Sequence, residues 1–176
     1  GVVAVGLAGD EAYPLEPFAA VFAAAAEQGL RVVHHAGETT GPESIREALT
    51  LGRAERLGHG IRILEDADLV AEVRDRAVPL EVCPSSNVAL GVATGIAAHP
   101  LPQLVEQGLH VTINTDIPAV AGTSLGQEYA LVRDVLGLDD SGLAELAKAG
   151  VEASFASAET TARLHAEIDQ WLASPG

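Results

Sequence analysis

One feature limits the fold more than any other: short apolar runs alternate with helix-length stretches. Five β-branched runs, Val2–Leu7, Leu30–His34, Arg56–Ile63, Val78–Cys83 and His110–Asn114, read as buried strands. Between them lie Leu15–Gln28, Glu43–Gly52, Asp66–Arg76 and Pro100–Gln107, with Gly29, Gly52 and Gly108 as helix stops. Strands that are apolar throughout and separated by helices form a parallel sheet covered on both faces. After the fifth run the pattern changes, and Ser124–Leu136, Ser141–Ser154 and Ala158–Ala173 read as three helices with no strand between them. No fixed-period repeat or linker divides the chain, so residues 1–176 are read as a single domain.

Polar residues gather at the ends of these runs. The first, second, fourth and fifth end in Gly9-Asp10-Glu11, His34-His35-Ala36-Gly37-Glu38, Cys83-Pro84-Ser85-Ser86-Asn87 and Asn114-Thr115-Asp116, and the third contains Gly58-His59-Gly60. Parallel α/β folds gather their sites at the C-terminal edge of the sheet. One polar strand end means little; a series of them predicts a site assembled from several strands.

Composition narrows the function classes. The chain has 25 acidic against 10 basic side chains, a net charge of −15, which argues against binding a phosphate backbone. The single cysteine, Cys83, excludes an intramolecular disulfide and a Cys-based zinc knuckle. The longest charge-free run, Val82 to Val105, carries three prolines and makes a poor membrane span. No basic-then-apolar leader precedes the first strand, so the expected location is cytoplasmic, away from any membrane. The chain contains no methionine, and it is read as a processed, trimmed or partial piece.

Three places stand out chemically. His35 is followed by Glu38 across a glycine, an arrangement in which an imidazole ligates a metal while a carboxyl group works as acid or base. His59 lies between two glycines that free it to project into a cavity. Asp116 sits between an apolar strand and Ile117-Pro118, where a buried carboxylate needs a cation or hydrogen-bond donors. Taken alone, each has a competing structural reading: a packed or solvent-facing histidine, a core histidine in a bend, a turn cap. His34 should alternate to the face opposite His35. Cys83 reads as a buried structural thiol, and His99, His110 and His165 as structural or exposed.

These motifs, in this order, resemble the adenosine deaminase family. The resemblance rests on Leu7-Ala8-Gly9-Asp10-Glu11, His35-Ala36-Gly37-Glu38, Glu55-Arg56-Leu57-Gly58-His59-Gly60, Cys83-Pro84-Ser85-Ser86-Asn87 and Asn114-Thr115-Asp116. It implies a partial TIM (β/α)8 barrel of about five parallel strands, from roughly the fourth stave onward, with outer helices and a helical tail. It further implies zinc held by His35 and Asp116, with Glu38 protonating the purine ring nitrogen beside the attacked carbon. His59 would orient or deprotonate the water that attacks, and the Gly9 backbone would hydrogen-bond the purine. The implied reaction is hydrolytic deamination of adenosine or a related neutral purine nucleoside or base.

Two departures bear on that implication. The family's first-strand His-x-His pair does not occur here, so two protein ligands stand where a catalytic zinc takes three. The chain alone is therefore expected to be inactive, with an upstream segment or partner chain completing the barrel. Ile117 also replaces the family's second aspartate, which removes a directional contact to the purine's imidazole ring. Two further readings stay open: a non-catalytic or lapsed barrel scaffold, and a metal-dependent amidohydrolase with another substrate. A nucleotide substrate is disfavoured, since Arg56 and Arg62 are the main cations in the site segments.

Overall fold

The computed structural model describes residues 1–174. β1 (Ala4–Leu7) leads through a 3-10 turn into α1 (Ala19–Glu27), followed by β2 (Arg31–Ala36), α2 (Pro42–Thr50) and β3 (Arg56–His59). Then come α3 (Ala67–Asp75), β4 (Leu80–Val82), α4 (Pro84–Ala89), α5 (Leu101–Glu106) and β5 (Val111–Ile113). Four helices follow: α6 (Pro118–Ala121), α7 (Leu125–Leu136), α8 (Asp140–Ala153) and α9 (Ala158–Ala173). The strands form one sheet in sequence order, with β1–β2, β2–β3 and β3–β4 paired parallel. This is the strand–helix alternation expected of part of a (β/α)8 barrel. No helix among the described residues is long and apolar enough to cross a membrane.

Two segments differ from the sequence expectation. The third apolar run stops being a strand at His59, because Gly60 turns left-handed (φ 67°) and Ile61–Glu65 coil into a 3-10 helix. The polar stretch after β4 does not continue extended. It winds into α4, whose first position is Pro84, where the missing N–H would have been unpaired in any case. The longer helices start on the capping residues their sequences offer. Asp66, Ser124, Asp139 and Ser157 each accept a backbone N–H from the first turn of α3, α7, α8 and α9.

The chain divides into two compact units, the first being Gly1–Val82 with Gln103–His110. Its core is Val32, Ile45, Leu57, Ile63, Leu69, Val73 and Leu80, all fully buried. His34 is buried with them. Its Nδ1 accepts the Leu7 N–H at 3.1 Å, so Nε2 carries the proton and donates to the Gly52 carbonyl at 3.1 Å. A Cβ on Gly52 would stand 2.6 Å from the ring and 2.6 Å from the Ala48 carbonyl. The glycine that ends α2 is thus also the seat of this imidazole. Burial lowers the His34 pKa and keeps the ring neutral.

The second unit comprises Cys83–Pro102 and the described residues from Val111 on. β5 packs against α8 and α7, burying Val111, Ile113, Val132, Leu143 and Leu146. His99 is its buried imidazole: Nδ1 accepts the Leu101 N–H and Nε2 donates to Asn87 Oδ1 at 3.2 Å. Desolvation pushes its pKa down to about 4. In the unfolded chain this ring takes up a proton near pH 6.5, whereas the folded one resists until about 4. The unfolded state therefore binds more protons across that window, and stability falls as pH drops through it, by about 3 kcal/mol in all. His99→Asn keeps an acceptor for the Leu101 N–H but no titrating group. In urea melts at stepped pH between 7 and 4.5, it should lose stability less steeply than wild type. Parallel curves would assign the acid sensitivity elsewhere.

Candidate active site

β2 sets the two adjacent histidines on opposite faces, as a strand must. His34 meets the edge of Phe22 on α1, with ring centroids 4.3 Å apart. His35 turns the other way, as expected. Its parallel partner in the β2–β3 register is Gly58. A Cβ there would lie 3.1 Å from His35 Nδ1, so the glycine makes room for the ring.

The next residue, His59, adopts a left-handed backbone (φ 65°) that a non-glycine residue takes at a cost of order 1–3 kcal/mol. Its imidazole is buried, with its centroid 5.0 Å from that of His35. His59 Nδ1 stands 3.3 Å from Glu38 Oε1, and the Glu38 carboxyl is itself only 11% exposed. His35, Glu38 and His59 therefore come together within the first unit, as the sequence anticipated.

The turn carrying Glu38 is fastened on every side. Gly37 is left-handed (φ 71°), and a Cβ on it would strike Ile45 at 2.4 Å. The Gly37 N–H donates to Ser44 Oγ, and an Arg62 guanidinium N–H donates to the Thr39 carbonyl at 2.6 Å. From the loop after β1, the Glu11 carboxylate accepts the backbone N–H groups of Glu38, Thr39 and Thr40 at 2.8–3.2 Å. Sequence reasoning gave Glu11 no role beyond its motif. Its partners lie 27–29 residues away, and no local pattern announces them. Beside this turn a cavity of about 230 Å³ is lined by Gly9, Tyr13, Phe18, His35 and Glu47. Gly9 has a φ of 132°, open to glycine and strained for other residues.

The second unit holds Asp116, just after β5, exposed and left-handed (φ 55°). Ser86 Oγ donates to Asp116 Oδ2 at 2.6 Å, a charge-assisted bond. Ser86 is held in turn by α4, and Ser85 N–H donates to the fully buried Glu128 at 3.1 Å. Thr123 Oγ1 donates to the other Glu128 oxygen at 2.6 Å. Neither Ser86 nor Glu128 was singled out from the sequence. Ile117, adjoining Asp116, is exposed at the start of α6, and Cys83 is buried.

A chain that sets two imidazoles and a carboxyl group at the ends of β2 and β3 of a parallel sheet has the layout of a barrel hydrolase. The adenosine deaminase family model matches residues 1–171, and the chain belongs to that family. It is 48% identical over 179 residues to aminodeoxyfutalosine deaminase of Streptomyces coelicolor, a match covering 99% of this chain and 46% of that protein. Adenine deaminase from Arthrobacter aurescens superposes with a TM-score of 0.95 at 38% identity, covering 98% of this chain and 53% of the other. A zinc-bound amidohydrolase from Burkholderia ambifaria shares the fold, with a TM-score of 0.86 at 23% identity over 95% of this chain and 47% of that one. The chain thus spans about half the length of the relatives it matches.

The tight seat of His35 generates a prediction. Gly58→Ala brings a methyl within 3.1–3.3 Å of the imidazole and 3.4 Å of the His35 Cα, so ring or strand must shift by a few tenths of an ångström. Overpacking of this kind costs about 1–3 kcal/mol. Imidazole nitrogen resonances of His35 and His59 should both move, with a matching loss in a denaturant melt. Unmoved resonances would mean that the ring has slack the packing does not reveal.

Proposed function

We propose that this chain is the later part of a single barrel domain, a cytoplasmic zinc-dependent hydrolase that deaminates a neutral purine base or nucleoside. The carrying observation is the buried Glu38 carboxyl 3.3 Å from His59 Nδ1, with the His35 ring beside it. Family membership and relatives named for adenine and aminodeoxyfutalosine support a purine-type amine as the group removed. Adenosine itself is one candidate within that class.

His35 and Asp116 are the proposed zinc ligands. An imidazole and a carboxylate are donors that suit zinc. When bound, the metal supplies Lewis-acid activation of water near neutral pH. Everything else falls to the chain. Glu38 hands a proton to the ring nitrogen adjacent to the attacked carbon, and His59 orients the attacking water and takes its proton. The amine departs as ammonia, and a carbonyl replaces it on the ring. The Gly9 backbone hydrogen-bonds the purine, and Ser86 fixes the Asp116 carboxylate through its hydroxyl. Further zinc ligands are proposed to come from an upstream segment or a partner chain. The 176-residue chain by itself is accordingly proposed to be inactive.

The test is an ultraviolet assay of purine conversion by the zinc-loaded full-length protein. Glu38→Gln should cut turnover by roughly 10²–10⁴-fold while zinc content stays stoichiometric, because the amide keeps the shape and loses the acid. Retained turnover would end the assignment of Glu38. Ile117→Asp should raise activity on adenosine relative to other purines, by returning a hydrogen-bonding group beside Asp116. If adenosine turnover is unchanged while another purine is consumed, the chemistry stands and the adenosine assignment falls. A non-catalytic scaffold is favoured by Ile117 alone, and a full-length protein that binds zinc but converts no purine would establish it.

A further inference from the structure

We infer that Glu11 is the positioning residue for Glu38, an inference that rests on the deaminase reading of Glu38 above. One carboxylate, from the loop after β1, accepts the N–H groups of three successive residues: Glu38 at 3.1 Å, Thr39 at 3.0 Å and Thr40 at 2.8 Å. The Thr39 hydroxyl adds a longer bond at 3.4 Å. Successive N–H groups pointing inward make an anion-binding concavity, and charge-assisted bonds to it are about twice as strong as neutral ones. Here the anion is built in.

The consequence follows from which residue is held. Glu38 itself supplies one of the three donors, so the carboxylate grips the backbone from which the acid side chain springs. The opposite side of the turn is fixed by the Arg62 bond to the Thr39 carbonyl and the Ser44 bond to the Gly37 N–H. Neither of those bonds involves the Glu38 backbone. Removing Glu11 frees the three N–H groups on one side of the turn, so the backbone that carries Glu38 is held less tightly there. A proton donor misplaced by about 1 Å can lose about 10²-fold in rate. Glu11 grips the backbone of the acid through three N–H groups, so the defect should fall on the proton-transfer step rather than on binding.

The inference is tested on the full-length zinc-loaded protein by amide hydrogen exchange and steady-state kinetics with its best purine substrate. Glu11→Ala should raise exchange at Glu38, Thr39 and Thr40 by about tenfold or more, the effect of losing one ordinary hydrogen bond. It should lower kcat by about 10–100-fold, with KM within about threefold and zinc content unchanged. Glu11→Gln keeps one acceptor oxygen, should fall between Glu11→Ala and wild type in both readouts, and stands in if Glu11→Ala fails to fold. Unchanged exchange at these amides overturns the inference, as does faster exchange with unaltered kcat. A rise in KM alone also overturns it, because Glu11 would then serve binding. Failure of the deaminase reading looks different: Glu38→Gln would then be active, whatever Glu11 does to the amides.

Discussion

The candidate site hangs on the pairing of β2 with β3. That register sets His35 opposite Gly58 and leaves the following residue free to leave the strand. Hydrogen bonding in a parallel pair fixes the two backbones to within a fraction of a residue, and side-chain faces follow from it. A slip by one residue would put His34 where His35 now stands and bury the wrong ring. The left-handed turn at His59 then reverses the usual alternation and brings the second imidazole beside the first, at 5.0 Å. Strain at His59 is tolerated because the surrounding core, Leu57, Ile61 and Ile63, is fully or almost fully buried and holds the chain in place.

Four buried or half-buried polar side chains in this chain are satisfied in a consistent way. His34 and His99 are neutral imidazoles, each accepting one backbone N–H through Nδ1 and donating through Nε2. Glu11 and Glu128 are carboxylates that terminate backbone N–H groups remote in sequence. The cost of burying such groups is offset only when their bonds are made, so each fixes a particular arrangement of loops. The proposed chemistry uses histidines differently placed, His35 and His59, whose ring centroids lie 5.0 Å apart beside the Glu38 carboxyl. In the same family of side chains, an imidazole with both nitrogens hydrogen-bonded fixes loops, and the proposed site sets its imidazoles beside a carboxyl.

The lining of the cavity beside His35 bears on which ring the proposed site would accept. The cavity beside His35 mixes aromatic side chains, Tyr13 and Phe18, with the acidic Asp10, Glu11 and Glu47, and no Arg or Lys among the described residues lines it. Such a lining suits a neutral ring and gives a phosphate nothing to pair with. Ile117, next to Asp116, can neither donate nor accept, so whatever edge of a substrate reaches it must be apolar or solvated.

The sequence by itself determined the parallel α/β class, since runs of apolar, β-branched residues spaced by helices have no other economical way to be buried. It also marked the candidate site residues: His35, Glu38, His59 and Asp116 were legible from glycine spacing and strand-end position. The helix stop at Gly52 was legible too. Its second task, seating the His34 ring, was not. The supporting bonds are the part that only tertiary structure decided. Glu11 meets Glu38 across 27 residues and Glu128 meets Ser85 across 43, so no local window contains both partners. The end of β3 was misplaced for a related reason: Ile61 and Ile63 are as apolar in a 3-10 turn as in a strand. Burial patterns record which side chains face the core, but a backbone's φ and the partner of a distant carboxylate are set only when the chain closes on itself.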